Sequence, residues 1–289
     1  LKNIIVHVLE AECLIEIKKD GQKAASNTQR VVFHSEQMQT VRVQIPIEQP
    51  KKWSPAQPAL YECHITTRFD DEICDEAVSN FGIRVLALDP VHGLQINGET
   101  VKLRGTCIHH DNGVIGAETF KEAEWYRCKR LKEAGFNAIR SAHHPMSRAM
   151  LDACDHIGML VMDELTDMWD KEKNTYDFSD IFEDEYNQWI NHMVEKDYNH
   201  PSVVIYSVGN EIQEAGTKQG AWINRILCNK FHELDNTRYT TNALNGLDGV
   251  TAKVSLKENS AEVSYDREID QADLKNAVKN AGYEVTSIS

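Results

Sequence analysis

Residues 1–88 carry short runs of β-branched and aromatic side chains that partly alternate with polar ones. Polar turns such as Lys19-Asp20-Gly21 separate the runs, and no helical spacing of apolar residues stands out. Short strands at this spacing favour an immunoglobulin-like β-sandwich over residues 1–88. The predicted strands are Ile4–Leu9, Cys13–Ile17, Val31–Phe33, Thr40–Ile45, Tyr61–Thr67 and Gly82–Leu86.

From about residue 89, apolar strands alternate with amphipathic helices. Thr119 and Glu122 predict a capping box at the start of the first helix, and Gly135 and Gly158 predict the ends of the first two. Four strand–helix units imply a parallel sheet. Residues 89–245 are therefore expected to form the first four units of a (β/α)8 TIM barrel. The predicted strands are Val101–Arg104, Asn137–Arg140, Met159–Met162 and Val203–Val208.

After residue 245 the pattern changes again. Val250–Leu256 and Ala261–Tyr265 predict a hairpin around Glu258-Asn259, and a helix is expected to begin near Asp270. The order β-β-α-β does not continue the strand–helix repeat. It predicts a small α+β, ferredoxin-like fragment over residues 246–289.

Composition narrows the possible partners and compartment. The 289 residues carry 31 Lys and Arg against 45 Asp and Glu, a net charge of −14. An acidic surface repels phosphate backbones and anionic lipid, so neither nucleic acid nor a membrane is expected as a partner. The seven cysteines are scattered, with no CxxC, which indicates unpaired thiols. The unpaired cysteines favour a cytoplasmic location. The chain opens on Leu1 without a signal-peptide pattern, which leaves the compartment open.

The candidate chemistry lies just past the predicted strands, where parallel sheets and barrels place their active sites. His109-His110-Asp111, His143-His144-Pro145, Asp163-Glu164 and Asn210-Glu211 follow the four strands in order. Glu211, predicted to be partly buried after an apolar strand, suits a general acid. Two carboxyl groups acting together cleave glycosidic bonds. Asp163 and Glu164 are interpreted as structural carboxylates that hold Arg140 or neighbouring strands.

Long motifs surround these residues in a fixed order. They read RGTCIHHDNG at 104–113, NAIRSAHHP at 137–145, CDHIGMLVMDE at 154–164 and NHPSVVIYSVGNE at 199–211. Upstream, Trp53-Ser54-Pro55 and Phe81-Gly82-Ile83-Arg84 fit the same order. Residues 1–245 resemble glycoside hydrolase family two, the family of β-galactosidases and β-glucuronidases, with an immunoglobulin-like domain preceding its barrel.

The resemblance implies a role for each matching residue. Glu211 matches the acid/base carboxyl, Asn210 the amide that holds the sugar 2-hydroxyl, and His109 and His143 the histidines of the glycone pocket. Asp111 fits the family pattern as a substrate-binding residue, or it caps the following loop. The implied reaction is hydrolysis of terminal β-galactosides with retention of configuration, with β-glucuronides as the alternative.

Trp169 follows a predicted strand end. It is the tryptophan expected to stack on a sugar face. The other reading of His109 and His143 is that they are hydrogen-bonded core histidines.

Two departures from the family accompany this resemblance. Its metal-ligating Glu and His fall on Met168 and Asp170, so no metal cofactor is expected, although some members use magnesium. Its nucleophilic Glu is expected on a later barrel strand, beyond residue 245, and a catalytically inactive fragment is therefore the alternative reading.

The tail, about residues 246–289, resembles the second part of a heavy-metal-associated domain. The matching stretches are Leu247–Val250, Val254–Leu256, Ala261–Asp266 and Ala281–Glu284. The metal-binding CxxC loop of such domains is not in the sequence. We assign no metal ligand, and a metal-binding protein is the less favoured alternative.

The predicted open sheet leads to the first testable expectation. Four strands of an unclosed barrel leave an unpaired parallel edge, which tends to pair with another chain. We expect self-association or a homo-oligomer in size-exclusion chromatography. A sharp monomer peak together with a cooperative thermal transition would contradict this expectation.

Overall fold

A computed structural model describes the fold and divides it into two compact units. The first unit comprises the described residues up to Arg84 together with 199–201, and the second comprises the rest. The division into domains at residues 88 and 245 stays a prediction. The described residues are 8–34, 40–243, 250–255, 260–265 and Lys275.

The first unit contains a four-stranded antiparallel sheet in the order β2-β1-β3-β4. Two-residue turns close both hairpins. Asp20 and Gly21 join β1 to β2, Asp70 and Asp71 join β3 to β4, and all four have positive φ. Positive φ at both central residues matches the right-handed twist of a tight hairpin, and Gly, Asp and Asn adopt it most readily. The strands are β1 Val8–Lys19, β2 Gln22–His34, β3 Tyr61–Phe69 and β4 Glu72–Phe81.

Two of the strands predicted within residues 1–88 do not form as expected. Thr40–Ile45 is not a strand, although Val43 and Ile45 are half-buried in alternation with exposed neighbours. Pro46, which has no N–H to donate, follows directly. Gly82–Leu86 is also not one strand, because β4 ends at Phe81 and the next strand begins at Leu86.

The second unit contains a five-stranded parallel sheet in the order β12-β11-β10-β9-β8. Each strand lies beside its neighbour in sequence, as in the part-barrel expected from the sequence. A small antiparallel sheet precedes it, formed by β5 Leu86–Asp89, β6 Gly93–Ile96 and β7 Glu99–Thr100. The parallel strands are β8 Gly105–Ile108, β9 Ala138–Ser141, β10 Leu160–Glu164, β11 Val203–Asn210 and β12 Tyr239–Ala243.

The prediction of Val101–Arg104 as the first parallel strand was wrong, because β8 starts at Gly105 and pairs there with Ala138 of β9. A Cβ at position 105 would lie 3.3 Å from the Ala138 Cβ, so glycine allows this close approach. The fifth strand, β12, was not predicted. His109 nevertheless follows β8 directly, as expected.

Four helices pack with the sheet around one core. Strand residues such as Ile139, Val161 and Tyr206 are buried against Leu151 and Leu227 of the helices. Gly135 and Gly158, both with positive φ, follow the first two helices as predicted. The helices are α1 Lys121–Glu133, α2 Arg148–Ile157, α3 Ser179–Asp197 and α4 Lys218–Leu234.

In the tail, β13 Val250–Ser255 and β14 Ser260–Tyr265 pair antiparallel, which confirms the predicted hairpin. Lys275 is helical. The rest of the helix expected from Asp270, and the strand after it, lie outside the described residues. Among the described helices, none is long and apolar enough to cross a lipid bilayer.

Helix capping provides a matched stability test. Ser147 caps α2, since its Oγ accepts the Met150 N–H at 3.2 Å. The capping box predicted at Thr119 does not form, because α1 starts one residue later with Phe120 as its N-cap and no side-chain cap. We expect Ser147→Ala to lower the free energy of unfolding by about 1 kcal/mol. Thr119→Ala should change it by less than about 0.5 kcal/mol in the same urea titration. Equal effects would contradict this assignment.

Candidate active site

The carboxyl ends of β8 to β11 bring the predicted site residues to one rim of the parallel sheet. His109 follows β8 and His143 follows β9, and their rings meet edge to face with centroids 5.3 Å apart. Asn210 ends β11, and Glu211 follows it. The rim therefore carries imidazoles, an amide and a carboxyl on neighbouring strands.

Glu164, at the end of β10, is the buried charge at this rim. Its side chain is 0% exposed. Arg140 donates to it through Nε at 3.0 Å and Nη2 at 2.7 Å. Ser207 Oγ donates at 2.7 Å and His143 Nδ1 at 2.8 Å, because a carboxylate only accepts. Glu164 thus holds Arg140, as the sequence indicated, and it also orients the His143 ring.

Asp163, next to Glu164, serves the opposite face of β10, because successive strand residues alternate. Its Oδ1 accepts the Met146 N–H at 2.8 Å, and its Oδ2 accepts from Lys196 Nζ at 3.0 Å. Its buried carboxylate therefore has a structural role away from the rim.

A second chain of contacts runs through Asn210. Arg140 Nη2 donates to its Oδ1 at 2.7 Å, and its Nδ2 donates to Asp167 Oδ1 at 2.7 Å. Lys173 Nζ donates to Asp167 Oδ1 at 2.8 Å and to the Asn210 carbonyl at 2.7 Å. The arginine on one side and the carboxylate on the other fix which way the amide points.

Asp167 and Lys173 were not predicted from the sequence. They lie among several charged residues between β10 and α3, and sequence spacing alone does not tell which of those pair. Burial on its own would raise the pKa of Asp167. The hydrogen bonds from Lys173 and Asn210 outweigh it and hold that pKa below the ordinary value.

Glu211 differs from the expectation in one respect, since its residue is exposed rather than partly buried. Its φ is +45°, in the left-handed region that residues with a Cβ rarely adopt. Gly209 lies two residues earlier, where an added Cβ would come within 2.7 Å of Ile212 and 2.9 Å of Trp169 Nε1. The chain thus turns sharply at the end of β11 and carries Glu211 out of the core.

Two other predicted residues have structural contacts. Asp111 is exposed, and its Oδ1 accepts the Gly113 N–H at 2.9 Å, so it caps the following turn. The expectation that Trp169 stacks on a sugar is corrected, because its side chain is in the core at 0% exposure. Because the side chain is fully buried, neither ring face is open to a sugar, and its Nε1 donates to the Val208 carbonyl at 2.9 Å.

The positions that the resemblance aligns with magnesium ligands do not fit that ion. Met168 is buried and offers a thioether, whereas magnesium takes oxygen ligands. Asp170 is exposed, and its Oδ2 accepts from Gln219 Nε2 at 2.6 Å. No step of the chemistry is therefore assigned to a metal at these two positions.

The buried ion pair at the rim gives one prediction. Arg140→Met leaves the Glu164 charge without its main partner, so we expect the free energy of unfolding to fall by about 3 kcal/mol. The double variant Arg140→Met/Glu164→Leu should regain much of this loss, because the pair is then replaced by apolar groups. Urea unfolding of both variants, with the exposed Arg148→Met as control, measures the difference. A loss below about 1 kcal/mol in the single variant would contradict the assigned partnership.

The Asp167–Lys173 pair predicts a pH dependence. The folded pKa of Asp167 lies below its unfolded value of about 3.9, so the pair stabilises the fold above about pH 4. This contribution is lost as the pH falls through the folded pKa. The destabilisation caused by Lys173→Met should therefore be larger at pH 7 than at pH 3 in urea unfolding. Lys171→Met, an exposed lysine of the same loop, should show no such difference.

Comparisons with known proteins match both parts of the chain to one family. The family model described as "Glycosyl hydrolases family 2, TIM barrel domain" matches residues 91–284, and the model "Glycosyl hydrolases family 2" matches residues 6–84. The barrel match runs through most of the tail. The resemblance of residues 246–289 to a heavy-metal-associated domain is not borne out, and the ferredoxin-like fragment is not confirmed.

Individual relatives carry two enzyme names. The chain is 37% identical over 171 residues to a β-galactosidase of Bacteroides ovatus, covering 59% of this chain and 20% of that protein. It is 28% identical over 202 residues to a β-glucuronidase of Bacteroides fragilis, covering 69% and 29%.

Among solved structures, a glycosyl hydrolase family 2 member from Bacteroides cellulosilyticus superposes with a TM-score of 0.80 at 37% identity. The match covers 84% of this chain and 31% of that structure. The chain thus spans about a fifth to a third of the length of these relatives. With both family models matched in order along the sequence, the chain belongs to glycosyl hydrolase family 2.

Proposed function

We propose that this chain contributes the acid/base half of a retaining β-glycosidase site, with Glu211 as the acid/base. The observation that carries the proposal is the Asn210–Glu211 pair at the end of β11, held by Arg140 and Lys173. An exposed carboxyl on a sharply turned backbone is accessible to the glycosidic oxygen of a substrate. As the general acid, it would give its proton to that oxygen as the glycosidic bond breaks.

The neighbouring residues supply contacts for the sugar itself. Asn210 would hold the 2-hydroxyl, and hydrogen bonds to that group strengthen in the transition state. His109 and His143 would line the glycone pocket, and the Glu164 contact orients the second of them. Asp111 would contribute a substrate contact at the edge of the pocket, where it also caps the following turn.

A retaining mechanism needs a second carboxyl about 5–5.5 Å from the first. Glu164 is a poor candidate because Arg140, Ser207 and His143 already occupy its oxygens. We propose that the nucleophile lies on a later barrel strand, as the family resemblance implies. The complete reaction then belongs to the assembled barrel.

We propose terminal β-galactosides as the substrates, in line with the β-galactosidase of Bacteroides ovatus. β-Glucuronides are the second candidate, because the chain is also similar to a β-glucuronidase of Bacteroides fragilis. A glucuronide differs at C6, where it carries a carboxylate. Side-by-side assay of the two aryl glycosides separates these candidates.

The test combines sugar binding with hydrolysis by the full chain. We expect galactose-type inhibitors to bind in calorimetry, and we expect the Asn210→Ala variant to weaken binding by about tenfold, or about 1.4 kcal/mol. Where an aryl β-galactoside is turned over, Glu211→Gln should lower kcat by about 10²–10⁴-fold for a poor leaving group.

Two outcomes would contradict the proposal. One is the absence of binding by any galactose- or glucuronate-type inhibitor. The other is turnover of a poor leaving group that survives Glu211→Gln. Glu172→Gln serves as the matched control, because this exposed glutamate lies outside the rim contacts described above.

A further inference from the structure

The loop between β10 and α3, residues 165–178, is assigned no contact with the substrate in the proposed reaction, yet it is tied to the segment that carries Glu211. Beyond the contacts of Lys173 and Asp167 with Asn210, the Lys171 N–H donates to Glu214 Oε1 at 2.6 Å. Asp170 accepts from Gln219 at 2.6 Å. The loop is thus attached to the chain on both sides of Glu211.

Lys173 makes the contact nearest to the acid/base. Its ammonium donates to the carbonyl oxygen of Asn210 at 2.7 Å, which belongs to the peptide group joining Asn210 to Glu211. The Lys173 side chain is 16% exposed, and the carboxylate of its partner Asp167 is 23% exposed. A largely buried cation therefore sits directly on the peptide group that precedes the acid/base.

The position of Lys173 is itself fixed by Asp177. Asp177 Oδ2 accepts the N–H groups of Lys173 at 2.7 Å and Asn174 at 3.0 Å. Its Oδ1 accepts the N–H and Oγ of Ser179, at the start of α3. The backbone of Lys173 is thus anchored to a helix before its side chain reaches the rim.

Glu211 needs such support because its backbone lies in the left-handed region, with φ +45°. A residue with a Cβ keeps that conformation only where its surroundings impose it. A fixed hydrogen bond to the preceding peptide group supplies this constraint. An ammonium also makes it stronger than a neutral donor would.

We propose that Lys173 is a positioning residue for Glu211, fixing the Asn210–Glu211 peptide group so that the carboxyl is held toward the glycosidic oxygen. This inference rests on the proposed function, which names Glu211 as the acid/base. Lys173 would act through the backbone and would not contact the substrate.

The kinetic test compares two leaving groups and applies where the chain, with its barrel completed, turns over aryl glycosides. Phenyl glycosides need protonation of the leaving oxygen, whereas dinitrophenyl glycosides depart with little help. We expect Lys173→Met to lower kcat/KM about 10- to 100-fold on the phenyl substrate and less than about threefold on the dinitrophenyl substrate, because kcat/KM reports the glycosylation step, in which the leaving oxygen is protonated. Lys173→Arg should restore most of the phenyl activity, and Lys171→Met should leave both activities unchanged.

A second measurement does not depend on turnover. Amide hydrogen exchange at residues 210–213 should quicken about tenfold in Lys173→Met, while exchange in α2 stays as in the parent chain. The variant Lys173→Met/Asp167→Asn, which leaves no unpaired charge, should quicken exchange at the same residues.

The outcomes separate the two proposals. Unchanged exchange at 210–213, or an equal loss of kcat/KM on both substrates, would overturn the role of Lys173. Faster exchange confined to 210–213 in a chain that neither binds nor hydrolyses any glycoside would support the positioning and refute the proposed function.

Discussion

The rim of the parallel sheet depends on the carboxylate of Glu164, whose side chain is fully buried. A charge removed from water costs several kcal/mol unless hydrogen bonds and an opposite charge replace its hydration. Arg140, His143 and Ser207 provide that replacement from both neighbouring strands. Because the contacts are directional, satisfying Glu164 also fixes where the arginine and the imidazole lie. The orientation of Asn210 follows, since Arg140 donates to it as well.

Successive side chains of β10 point to opposite faces of the sheet, so buried carboxylates must be satisfied on both faces. Glu164 points to the rim network, whereas Asp163 serves the helical side, where Lys196 neutralises it. A shift of β10 by one residue would exchange the two carboxylates and leave each without its partners. The same pairs that satisfy the buried charges therefore also specify the register of the strand.

The candidate site combines a rigid support with an exposed reactive group. Asn210 is buried and held on two sides, while Glu211, one residue later, is exposed on a left-handed turn. The proposed function needs both, because a sugar would have to reach the carboxyl while the carboxyl keeps its direction. The loop anchored by Asp177 adds support from the preceding strand–helix connection, between β10 and α3.

The sequence by itself determined the family, the alternation of strands and helices, and the strand ends at which the candidate site residues lie. Those features can be predicted locally, because they depend on apolar periodicity, on glycines that end helices and on contiguous motifs such as the one ending in Asn210-Glu211. Only the tertiary structure decided that Trp169 is core, that Glu211 is exposed and that β8 begins at Gly105 rather than Val101. It also decided that Lys173 and Asp167 join the rim, because such pairs depend on which loops meet across neighbouring strands. Hydrogen bonds between residues about forty positions apart, such as Lys173 to Asn210, leave no periodic trace in the sequence.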